Sequence, residues 1–359
     1  MPFELKAEAF EKVIDGKPVG LYTIRNNNGM VARITNFGAK IQQIIVPDRD
    51  GKPGDVVLGY ESIDRVLTGQ ASMGAFLGRF ASRLGKGILK LEGKDYQLAI
   101  NDNGGKPNTL HGGKRGSRVR PFDARQIAEN EVEMTILFTD GEEGFPGDLP
   151  VRVRYRLTDD NELIMAYDAA SATRTTVANF SGHAFFNLSG DLGSSIEDHI
   201  ITLNGSKVLE IGPELTPNGV VRDISGTAMD FSSPKALGKD INSGYDLIEA
   251  GNGYDHFYVI DQQEEGELTL HARVEDPKSG RVLEVWSTEP GVQFYSGNFL
   301  EGVSPRDVGK GAVFGFRSGL CLEPSHFPDG PNHDGFPTIV LKPGQWYSGQ
   351  IVYRFFAGK

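Results

Sequence analysis

The chain has 359 residues, 38% of them hydrophobic and 24% charged, a composition that excludes a disordered or membrane-embedded polymer. Lys and Arg number 37 against 48 Asp and Glu, and the formal net charge of −11 argues against nucleic acid or an anionic membrane as partner. The single cysteine, Cys321, allows no internal disulfide, and residues 1–20 hold no apolar leader core, so a cytoplasmic protein is expected.

Gly (46) and Pro (19) are spread along the whole chain, as turns between many short strands require. In chain order, Ser62–Leu67 reads as a short helical turn. Val132–Phe138 has β-rich composition, and Val151–Leu157 (VRVRYRL) alternates apolar and basic residues as a half-solvated strand does. Leu163–Ala169 is a third strand, and turn clusters at 140–150 and 158–162 separate the three. Ser233–Leu237 reads as a second helical turn. Leu268–Val274 and Val282–Ser287 flank EDPKSG as a hairpin, and residues 338–357 form two strands around Pro343-Gly344. No long helix and no βαβ alternation is present. The expected fold is all-β, a large antiparallel β-sandwich with few short helices, forming a single domain over 1–359.

Several chemistries lack their motifs. There is no GxxxxGK[ST], HExxH, CxxC, EF-hand loop or GxSxG, so neither a metal nor a nucleotide cofactor is expected. What stands out is a set of polar residues in apolar or glycine-rich surroundings: His111 in NTLHGG, His183 in NFSGHAFFNL, Asp255 in GYDHF, Gln293 in PGVQFYSGN and Glu323 in LCLEP. A carboxylate inside an apolar strand needs a partner or a function; a buried ion pair serves as well as catalysis. Glycines beside His111 and His183 suggest close backbone approach to a ligand. His199, His271, His326 and His333 read as surface or satisfied core residues, and His256 as a structural neighbour of Asp255. Cys321 shares a strand face with Glu323 and reads as a small core hydrophobe.

Six segments together resemble the aldose 1-epimerases, or galactose mutarotases. They are Gly78–Arg83, Asn108–Gly113, His183–Leu188, Gly253–Phe257, Pro290–Leu300 and Leu322–Asn332 (LEPSHFPDGPN). The resemblance implies a β-sandwich of galactose mutarotase type with a sugar cleft on one sheet, and an isomerase exchanging α and β anomers of free aldohexoses such as glucose and galactose. It implies Glu323 as base and His183 as acid, with Arg83, Ser82, His111, Asp255 and Gln293 binding sugar. Ser82 stands where the family usually has Asn, and Ala184-Phe185 where it usually has Thr-Tyr. The reaction needs one group to take the proton of the C1 hydroxyl and another to give one to the ring oxygen. Phe294 or Tyr295 would pack on the sugar's apolar face.

Three alternatives compete. A non-catalytic sugar-binding sandwich needs no acid/base pair. A glycoside-active relative needs two carboxylates, for which Asp255 and Glu323 are available. A sugar-phosphate enzyme wants a basic cluster near the motifs, and none is evident. The sequence leaves monomer and homodimer open.

Overall fold

The computed structural model describes residues 2–102, 105–171 and 173–358. The three alternating segments lie in strands Glu131–Phe138, Leu149–Leu157 and Glu162–Ala170. In the second, Val151, Val153, Tyr155 and Leu157 are buried while the arginines between them reach toward solvent. These strands belong to a nine-stranded antiparallel sheet. Its spatial order is Asp123–Ala128, Glu131–Phe138, Leu149–Leu157, Glu162–Ala170, Trp346–Ala357, Arg281–Ser287, Thr269–Glu275, Ile200–Leu203 and Lys235–Ala236. The hairpin around residues 275–280 and both C-terminal strands are present, though the latter part company. Ile339–Leu341 pairs with Thr176–Ala178, while Trp346–Ala357 runs between Glu162–Ala170 and Arg281–Ser287.

A six-stranded antiparallel sheet runs Phe185–Phe186, Leu320–Ser325, Gly291–Tyr295, Asp255–Val259, Lys207–Ile211 and Pro217–Asp223. A four-stranded sheet of Leu21–Arg25, Val31–Thr35, Lys40–Pro47 and Pro53–Asp55 adjoins it. One continuous apolar core extends from Ile24 to Phe355; Val153, Met165 and Val285 of the larger sheet share it with Val292, Phe294 and Leu322 of the smaller. Each such side chain, fully buried, contributes about 1.5–3 kcal/mol.

Helix is scarce. Ile63–Thr68 is one short α-helix, begun where Ser62 Oγ accepts the Arg65 N–H at 3.4 Å. Ser233–Leu237 is not the helical turn its sequence suggests. Lys235 and Ala236 pair with Ile201 and Ile200 at the open edge of the large sheet, which satisfies their backbone, and a 3₁₀ turn begins only at Leu237. Among the described residues, no helix is long and apolar enough to cross a membrane.

A buried cation ties the loops beside the smaller sheet together. Lys310 lies between strands Val308–Gly309 and Ala312–Val313, and its Nζ donates to Gln42 O (2.8 Å), Val57 O (2.7 Å) and Asp55 Oδ2 (2.7 Å). Gln43 Nε2 donates to the same carboxylate oxygen at 2.9 Å. Removing the cation leaves a buried carboxylate unpaired. Lys310→Met is therefore expected to cost about 3–5 kcal/mol in denaturant unfolding, and adding Asp55→Leu to recover part of it. A loss below about 1 kcal/mol would place this pair with ordinary surface ion pairs.

Candidate active site

The smaller sheet presents its polar side chains on one face. Antiparallel pairing sets Gln293 opposite Glu323 and Phe257, and Tyr295 opposite Asp255 and Cys321. Side chains alternate between faces, so Val292, Phe294 and Leu322 enter the core while Gln293, Tyr295 and Glu323 line a cleft of about 520 Å³. His183 reaches the cleft from a connecting segment held at both ends. Its N–H donates to Ala75 O (2.8 Å), and its carbonyl accepts from Gly74 N–H (2.9 Å).

Every residue expected in the site lines this one cleft: Ser82, Arg83, His111, His183, Asp255, Gln293 and Glu323. The glycines beside the two histidines serve internal packing, however, and not ligand approach. A Cβ on Gly112 (φ +80°) would sit 2.3 Å from Gly78 O, and one on Gly182 would sit 2.8 Å from Tyr353 Oη. Of the two aromatics the sequence offered, Phe294 is in the core, stacked on Tyr254 at 5.4 Å, and Tyr295 faces the cleft. Phe185 lies there too, stacked on the His183 ring at 5.1 Å.

The groups are wired in three sets. His183 Nε2 lies 3.4 Å from Glu323 Oε1, both side chains nearly shut from water. Arg83 Nε donates to Asp102 Oδ2 at 2.8 Å, and Asn108 Nδ2 donates to the same oxygen at 3.0 Å. Gln293 Nε2 donates to Asp255 Oδ1 at 2.7 Å. Asp102 was not legible in the sequence, since it stands in an irregular loop with no motif around it. In the same GRFASR segment Arg79 is buried, donating to Pro146 O and Gly147 O, each at 2.8 Å, so only Arg83 serves the cleft.

Burial drives the electrostatics. It pushes the Glu323 carboxyl well above the usual carboxylate range, helped by the nearby Asp255 charge and opposed by Arg83. Burial also raises Asp255, against the pull of Arg83 and the Gln293 hydrogen bond. His183 is pushed down to about 4, chiefly by burial. Burial thus disfavours the charge on both members of the Glu323–His183 pair. His111 is held well below its ordinary value by burial, then by His183, Arg118 and Arg83.

The Ser82 backbone N–H donates to His111 Nδ1 at 3.1 Å. A neutral His111 then carries its hydrogen on Nε2. Both residues have left-handed backbone, φ 62° at Ser82 and 53° at His111.

His183, Cys321 and Glu323 also bring three possible metal-ligand atoms within 4.8 Å of one another. Yet His183 turns Nδ1 toward the thiol and Nε2 toward the carboxylate. One ion would take only one of those nitrogens, so the arrangement suits proton exchange better than metal binding.

The cations lining the cleft are engaged by protein groups. Beside the Arg83–Asp102 pair, Lys106 Nζ donates to Pro213 O (2.6 Å), and Arg306 pairs with Glu301 (2.6 Å) and Asp307 (3.2 Å). A larger groove of about 960 Å³ lies elsewhere, near Glu289 and His326, and holds none of the expected residues. His326 Nδ1 meets Glu289 at 2.6 Å, so this histidine is a partnered buried residue, in line with its sequence reading. His271 departs from that reading, since among the described residues neither of its buried ring nitrogens has a partner.

The His111 geometry makes a spectroscopic prediction. At pH 7, and down to pH 6, ¹⁵N NMR is expected to find His111 neutral with its hydrogen on Nε2. An imidazolium, or a hydrogen on Nδ1, contradicts the arrangement.

Comparison with known proteins agrees with this site. The family model described as aldose 1-epimerase matches residues 20–354. The human galactose mutarotase is 41% identical over 323 residues, covering 90% of each chain. The Escherichia coli K12 aldose 1-epimerase is 32% identical over 346 residues, 96% of this chain and 97% of that one. Among solved structures, the aldose epimerase homologue from C. elegans superposes with a TM-score of 0.86 at 29% identity, covering 95% of this chain and all of that one. The galactose 1-epimerase of Lactobacillus acidophilus gives a TM-score of 0.82 at 25% identity, covering 97% of each. The chain belongs to the aldose 1-epimerase family.

Proposed function

We propose that this cleft opens and recloses the ring of a free aldose such as glucose or galactose, exchanging its α and β anomers, with Glu323 and His183 carrying the proton transfers. The observation that carries the reading is the buried Glu323–His183 pair, 3.4 Å apart, in a cleft that also presents hydrogen-bonding and aromatic side chains.

In the ring-opening direction Glu323 acts as a carboxylate and takes the C1 hydroxyl proton. The C1–ring oxygen bond breaks as the C1 carbonyl forms, and His183 gives the ring oxygen a proton. The pair ends as carboxylic acid and neutral imidazole, the state that burial favours. Rotation about C1–C2 turns the other face of the aldehyde toward the released hydroxyl. Closure runs the same transfers backwards, so no proton is gained or lost over a turnover. Each positioned acid or base contributes about 10²–10⁴-fold. The His111 Nε2–H and the Arg83 guanidinium stabilise negative charge developing on sugar oxygens. Asp255 and Gln293 hold hydroxyls, Ser82 lies beside them, and Tyr295 and Phe185 offer aromatic faces to the ring. This chemistry calls on no metal or nucleotide.

The alternatives fit less well. A purely sugar-binding sandwich has no use for a proton-sharing pair. A hydrolase pair of Asp255 and Glu323 is disfavoured because the first is bound by Gln293 and the second faces His183. A phosphorylated sugar would need cations free of protein partners. We read the chain as one enzyme domain acting on free sugar in the cytoplasm, with neither nucleic acid nor membrane as partner.

Glu323→Gln is expected to fold and bind sugar but lose at least about 10²-fold in kcat, followed by polarimetry on freshly dissolved α-galactose. Retention of a tenth of wild-type kcat would refute the base assignment. The enzymatic rate should also fall as pH drops through about 4, where a second proton enters the pair on His183. It should fall again on the alkaline side, when Glu323 gives up the last proton. A profile with a single acid limb at the ordinary histidine value would contradict the shared proton.

A further inference from the structure

His183 commits both ring nitrogens to the same strand. Nε2 meets Glu323, and Nδ1 lies 3.4 Å from the Sγ of Cys321, two residues earlier. Register brings the thiol there, since Cys321 is the direct partner of Phe185, two residues after His183. Cys321 is fully buried and is not among the cleft-lining residues. The Phe185 face and the edge-on His111, 5.4 Å away, also pack on the His183 ring, and the residue's own carbonyl lies within reach of a ring hydrogen.

We propose that Cys321 is a positioning residue for His183, holding the ring and selecting the nitrogen that carries the proton toward substrate. The proposal rests on the reading of His183 as the acid. The proton that His183 gives the ring oxygen leaves from Nε2, so Nδ1 keeps its hydrogen in the imidazolium and in the neutral ring alike. In both states Nδ1–H donates to Sγ, which accepts. The neutral ring then turns a bare Nε2 toward Glu323 and the sugar, where it can take the proton back. A carboxylate in the same place would hold the imidazolium charged through the whole cycle. A methyl group would take the side-chain acceptor away from Nδ1–H in a buried position. Burial and the Glu323 and Asp255 charges keep the thiol protonated, as this role requires.

The test compares Cys321→Ala and Cys321→Ser with wild type by polarimetry, alongside ¹⁵N NMR of His183 in the wild-type enzyme. Cys321→Ala is expected to lower kcat by about 10- to 100-fold with KM unchanged, the scale for losing a histidine's orienting partner. Cys321→Ser, whose hydroxyl also accepts, should recover most of the loss. The neutral wild-type His183 should carry its hydrogen on Nδ1. Wild-type kcat in Cys321→Ala, or equal losses in both variants, overturns the role. So does a wild-type Nε2–H tautomer, which decides the matter even if Cys321→Ala does not fold. His183→Ala is the control. If it keeps full activity the acid assignment fails, whereas an inactive His183→Ala beside a fully active Cys321→Ala removes only the positioning role.

Discussion

Everything in the cleft hangs on side-chain alternation in three neighbouring antiparallel strands. Because Gln293 stands opposite Glu323 and Tyr295 opposite Asp255 and Cys321, one sheet face collects the polar groups and the other collects Val292, Phe294 and Leu322. A slip of one residue in any strand would exchange the two sets, putting a carboxylate in the core and aromatic surface in water. The apolar layer therefore holds the chemistry in place. The stacking of Phe294 on Tyr254 and the packing of Leu322 below act on the far side of the sheet from the cleft.

That arrangement sets the electrostatics as well. A carboxyl and an imidazole buried side by side are driven in opposite directions, the first up and the second down, because burial disfavours the charge on each. In water the carboxyl is much the stronger acid; burial works against that order by favouring the carboxylic acid and the neutral imidazole over the charged pair. The larger groove near Glu289 shows the contrasting case. The Glu289 carboxylate accepts from Tyr167, Tyr347 and His326 and is pulled below its ordinary value against burial, so it holds structure and exchanges nothing.

The residues readable in the sequence share one trait: their neighbours announce a face. Glu323 in LCLEP and Gln293 in PGVQFY interrupt apolar strands, and the alternation that puts Gln293 in the cleft puts Tyr295 there and Phe294 in the core. That signal was present for the aromatic the sequence left open. Asp102, Lys106 and Arg306 come from irregular segments where no period assigns a direction, so their place in the cleft follows only from the fold. The three carbonyl and carboxylate partners of Lys310 lie about 250 residues away along the chain, beyond the reach of local pattern. Ser233–Leu237 was misread because an open sheet edge, itself a tertiary feature, captured two residues of a weak local turn.

The two histidines also differ in how exposed they are to genetic drift. The hydrogen received by His111 comes from the main-chain amide at position 82, a group every amino acid but proline supplies. The backbone there, at φ 62°, has no room for proline's fixed geometry. A substitution at this position such as Ser82→Asn, which a left-handed backbone accepts, can reshape contacts in the cleft while leaving the His111 tautomer untouched. The site thus contains one proton position anchored in main-chain atoms that inheritance cannot easily alter, beside a side chain that can change.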